Sequence, residues 1–178
     1  MNLRTTNCAN FVSQCLTAGG VGYTDEWYHN VTEYKYYDSN GLYGGSWFTY
    51  DYSLSWSMAS KQYEYFSNPE NGYINSSEII IENESVTQLN NGALKITSAE
   101  GIKAVASEGN VQIGDLVYFI NEVGTVHHAA IVSNVEDGDI KYAGNTKRRF
   151  DASLSATIGP DGEYGVVIVR INDELEIK

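Results

Sequence analysis

Three residue types suited to amide chemistry occur in order along this chain: Cys8 in NCANFVSQC, His128 in THHAAIVSNV and Asn145 in KYAGNTKRR. A thiolate attacks an acyl carbon, an imidazole moves the proton, and a side-chain amide can hold the imidazole in one tautomer. Each residue also has an ordinary reading. Cys8 taken alone is more often one more buried thiol. Histidines at a strand start are common, and an Asn after Gly144 is a natural turn residue. The chemistry depends on whether the surrounding elements bring the three together.

Cys8 and Cys15 are the only cysteines. Cys8, Phe11, Val12, Cys15 and Leu16 follow the spacing of one helical stripe, with Thr5, Thr6 and Asn7 as N-cap candidates and Gly19-Gly20 as the stop. On such a helix the two cysteines stand roughly 10 Å apart at 1.5 Å per residue. Disulfide-bonded Cα atoms need about 4.4–6.8 Å, so no bridge joins them. The distant histidines do not complete a zinc-ligand spacing, and no metal or cofactor is implied. Cys15, in the third turn, reads as small core filling. Cys8 lies in the first turn, where free amides and the helix dipole favour an anion, as a nucleophilic thiolate requires.

The elements that must position these groups follow from hydrophobic periodicity. Strand alternation predicts His127 and His128 on opposite sheet faces, one of them toward the helix mouth. Strands are expected over Glu78–Ile81, Ala93–Thr97, Leu116–Asn121, His127–Val135, Asp139–Ala143 and Tyr164–Ile171. Residues 102–107 fit either a strand or a short helix. A second helix is expected over Leu54–Phe66, and Val21–Asp51 reads as a long surface loop. Helices first and a strand meander afterwards predict one α+β domain over residues 1–178, with an N-terminal helix packed on an antiparallel sheet.

Composition narrows the partners. A net charge of -12 disfavours nucleic acid and anionic lipid, leaving a neutral or cationic polymer. No segment reaches the roughly 18 apolar residues of a membrane span. Fourteen tyrosines and three tryptophans, many between Trp27 and Tyr65, suit a groove for sugars or peptides, or equally a cap over a small core.

NCANFVSQCLTAGG resembles the D-C-T-N-F-V-S-Q-C-L-x-A-G-G motif of the bacterial putative amidase domain family, within the papain-like group of NlpC-type and CHAP-type peptidoglycan hydrolases. SWSMASKQYEYF, VQIGDLVYF, HAAIVSNV and YAGNT resemble that family's later segments in order. The resemblance implies a papain-like fold and a secreted or cell-envelope enzyme of a bacterium, its export signal trimmed from this chain. It implies Cys8 as nucleophile, His128 as general base and Asn145 as the third polar residue, where relatives usually carry histidine. Asn7 stands where the family has aspartate. Asn7, Trp56, Trp47, Tyr43 and His127 would contact a peptidoglycan or peptide substrate. The implied activity is amide hydrolysis through a thioester. The departures at Asn7 and Asn145 favour, as an alternative, a catalytically degenerate wall- or glycan-binding module, and acyl transfer by the same cysteine is a third reading.

Overall fold

The computed structural model describes residues 7–145 and 149–172. Helix α1 (Asn7–Ala18) leads into an antiparallel hairpin of β1 (His29–Tyr37) and β2 (Tyr43–Tyr52). Helices α2 (Leu54–Ser57) and α3 (Ala59–Phe66) follow, then β3 (Val86–Gln88), β4 (Leu94–Ile96) and α4 (Ala99–Ser107). The chain continues as β5 (Leu116–Ile120), β6 (Val126–Glu136), β7 (Asp139–Gly144), β8 (Arg149–Ser153) and β9 (Gly165–Val169). Seven of these strands form one antiparallel sheet in the order β3-β4-β9-β5-β6-β7-β8. The fold is α+β, as the periodicity predicts.

The central strands explain how the sheet is buried. LVYFI in β5 and GVVIV in β9 are buried at every position, so these strands are covered on both faces. Leu116, Tyr118, Ile120, Ala129 and Val169 pack with α1, Trp27, Trp56 and α3 on one face. Val117, Phe119, Ala130, Val132 and Ile168 pack with Ile102 and Val105 of α4 on the other. Residues 102–107 are thus helical, in a helix whose cap, Ser98, accepts from the Gly101 amide.

Three other expectations change. Val21–Asp51 is not mainly a loop, since most of it forms the β1–β2 hairpin. Almost every residue of that hairpin is exposed, so neither face imposes the apolar–polar alternation by which strands are recognised. The Leu54–Phe66 helix is interrupted at Met58, which is extended (φ -117, ψ 123). Ser53 caps the Trp56 amide and Ser57 bonds the Ser53 carbonyl, side-chain bonds that compete with helix continuation. Glu78–Ile81 forms no strand. Its neighbourhood is held by side chains, with Gln88 accepting from the Ile79 amide and Arg170 donating to the Asn75 and Ser77 carbonyls.

Candidate active site

Cys8 is the second residue of α1 and is buried at 7% exposure, among Ala9, Val12, Trp56, Tyr118 and Ala129. Both cysteines are free thiols. Cys15 is half-buried at the margin of the stripe rather than in the core, and burial pushes its thiol pKa up. A raised pKa leaves Cys15 protonated and chemically quiet.

Helix α1 is anchored by buried polar groups that the sequence reading passed over. Ser13 and Gln62 are fully buried. The Gln62 Nε2 donates to the Ala9 carbonyl (2.9 Å) and to Ser13 Oγ (2.7 Å). Ser13 Oγ donates to the Trp56 carbonyl (2.9 Å) and accepts from Trp27 Nε1 (3.1 Å). Tyr118 Oη donates to Gln62 Oε1 at 3.4 Å, and burial holds its phenol well above the ordinary range. These bonds tie the first turns of α1 to α3, to the α2 turn and to β5, fixing the depth at which Cys8 sits. One sequence signal was available: Gln62 falls on a helix face that should be apolar.

The histidines depart from expectation. The β5–β6 ladder pairs Tyr118 with Ala129 and Phe119 with His128, but then pairs Ile120 with Val126. His127 is therefore the extra residue of a bulge, and simple alternation fails there. His128 stacks on Phe119, with ring centroids 5.4 Å apart and an interplanar angle of 30°. Phe119 belongs to the α4 side of the sheet and Cys8 to the α1 side, so His128 stands on the face opposite Cys8. Among the described residues Cys8 makes no hydrogen bond to either histidine. Burial lowers the His128 pKa, with Glu163 opposing that effect and His127 and Arg149 adding to it.

His127 is exposed, and its Nε2 lies 3.0 Å from Glu163 Oε2. Nothing in the local sequence announces this pair, because Glu163 arrives from the turn before β9. Asn145 is a half-buried turn residue at the end of β7. Gly144, the residue before it, lies beside His128, with 3.7 Å between the position of a Gly144 Cβ and His128 Nε2.

The remaining candidates separate. Asn7 opens α1, and its side chain lies outside the described residues, as do Thr5 and Thr6. Trp56 is buried at 2% exposure with its indole N–H donated to Asn10 Oδ1 at 2.9 Å, so it supports α1 instead of lining an open groove. Trp47 and Tyr43 are exposed on the β1–β2 hairpin. No cluster of His, Cys, Asp and Glu among the described residues is placed to hold a metal. No helix among them is long and apolar enough to cross a membrane.

No curated protein and no solved structure gives a significant match to this chain. With a buried first-turn cysteine on a helix laid across an antiparallel sheet, and with the putative amidase domain model matching residues 1–169, the chain belongs to the putative amidase domain family.

Proposed function

We propose that the protein is a cysteine-dependent amide hydrolase acting on bacterial cell-wall peptide. The observation that carries the reading is the setting of Cys8. It lies in the first turn of a helix locked by the Gln62–Ser13 bonds, above the Tyr118–Ala129 rung, one residue along β6 from His128. In this reading the Cys8 thiolate attacks the amide carbonyl, and His128 passes a proton to the departing amine. Water then hydrolyses the thioester, with His128 as base. In this reading the backbone N–H of Cys8 would help hold the oxyanion. Asn145, following Gly144 at the end of β7, would orient the imidazole.

Burial favours the neutral, proton-accepting form of His128. The sheet-face separation sets the remaining demand: for His128 to serve Cys8, the Phe119–His128 rung would have to open. Catalytic hydrogen bonds commonly tighten only in the substrate complex. The test is amine release from purified muropeptides by the wild type, Cys8→Ala and Cys15→Ala. Loss in Cys8→Ala alone is the expected result, and equal release by wild type and Cys8→Ala refutes the reading.

A further inference from the structure

We propose that one face of the β1–β2 hairpin is a binding site for an uncharged saccharide chain. The strand register places Tyr34 opposite Trp47, Thr32 opposite Thr49 and Asn30 opposite Asp51, all on the same face. Tyr34 stacks on Trp47 with centroids 5.5 Å apart and an angle of 11°, and Tyr36 flanks the indole at 6.2 Å. About half of each ring remains open to solvent: 46% for Tyr34, 51% for Tyr36 and 52% for Trp47. These rings are not capping a core, since the hairpin has solvent on both sides. Among the described residues, the side chains of Asn30, Thr32, Thr49 and Asp51 spend no hydrogen bond within the protein, leaving a row of donors and acceptors beside the rings.

The chemistry of this face selects its occupant. A sugar offers C–H faces to aromatic rings and hydroxyls to Thr, Asn and Asp side chains. Through the Asn30–Tyr36 register the face carries no aliphatic side chain and no cation, so it lacks what an apolar helix or an anionic polymer would need. A second copy of the chain is disfavoured by the charge of -12 on each molecule. The base of the hairpin is anchored to the body of the protein through Trp56. His29 stacks on Trp56 (5.3 Å, 14°), and Trp56 is bonded to Asn10 in α1. The His29–Trp56 contact uses the other face of the hairpin and leaves the Tyr34–Trp47 face open.

The tryptophans make the site measurable. Trp27 and Trp56 are 0% and 2% exposed, so Trp47 is the tryptophan that a soluble quencher reaches. Acrylamide quenching should be followed in the Cys8→Ala protein with cellohexaose, chitohexaose and anionic polygalacturonate. At least one neutral oligosaccharide should protect the fluorescence saturably, and polygalacturonate should not. By calorimetry, Tyr34→Ala and Trp47→Ala should each bind roughly fivefold to tenfold more weakly, with unchanged circular dichroism. No protection by either neutral sugar at millimolar concentration overturns the proposal. Preference for polygalacturonate, or undiminished binding by both variants, overturns it equally. Because catalysis is absent from this assay, its outcome is separate from that of the muropeptide experiment.

Discussion

Phe119 and His128 face each other across the β5–β6 ladder with ring centroids 5.4 Å apart, while the next rung joins Ile120 to Val126. That single skipped residue, His127, decides the geometry of the candidate site. His128 lies on the α4 side through its pairing with Phe119, and the bulge leaves His127 exposed to reach Glu163 at 3.0 Å. Helix α1 and strand β6 are in contact, yet Cys8 and His128 lie on opposite faces of the sheet.

The placement of His128 gives stability a pH dependence. Burial lowers its pKa in the folded protein, and the charges facing it are Glu163, His127 and Arg149. The unfolded chain then binds more protons between the two pKa values, so stability should fall as pH drops from about 7 to about 5. Urea midpoints at three pH values across that window will show the slope. His128→Phe, which keeps a ring against Phe119, should flatten it.

Asp139 should act in a lower window. Burial would raise its pKa, but bonds from the Ser153 hydroxyl, the Ser155 amide and hydroxyl, and the Lys141 charge outweigh this and lower it. Its contribution is present above the ordinary carboxylate range and is lost as pH falls through the depressed folded value. Asp139→Asn should therefore be less stable than wild type at neutral pH. The gap measured by thermal unfolding should close as pH falls below about 4.

Gln62 holds α1, α3 and β5 together through a fully buried amide. Gln62→Leu leaves the Tyr118 hydroxyl without this acceptor and removes a donor to Ser13 and Ala9, and should cost about 1–3 kcal/mol. In a denaturant-based double-mutant cycle with Ser13→Ala, the coupling should fall within about 0.5–3 kcal/mol. Additive effects would show that the two side chains do not act as a unit.

The β1–β2 arm should respond locally. The Tyr36 ring lies against Gly44 and Gly45, where a Cβ would meet the ring at 2.5 and 2.9 Å. Tyr36→Ala should speed amide exchange in β1 and β2 while changing global stability by less than about 0.5 kcal/mol. A large shift in the unfolding midpoint would mean that the arm is part of the cooperative core.

Much was legible in the residues themselves. The Cys8–Leu16 stripe, the strands at Leu116, Asp139 and Tyr164, and the α+β order declare themselves because one-sided or complete burial imposes a period on the sequence. The arm escaped notice because strands exposed on both faces carry no such period. β8 (Arg149–Ser153) escaped for a related reason: as an edge strand it has little apolar content. The sequence by itself determined which groups could do chemistry and which elements carry them. Only the tertiary structure decided which face each group occupies. Side-chain direction in a sheet follows register, and one bulged residue between Ile120 and Phe119's partners reverses it without any mark in the local sequence. The Gln62 anchor and the His127–Glu163 pair were likewise set by tertiary contact, since their members lie 49 and 36 residues from their partners.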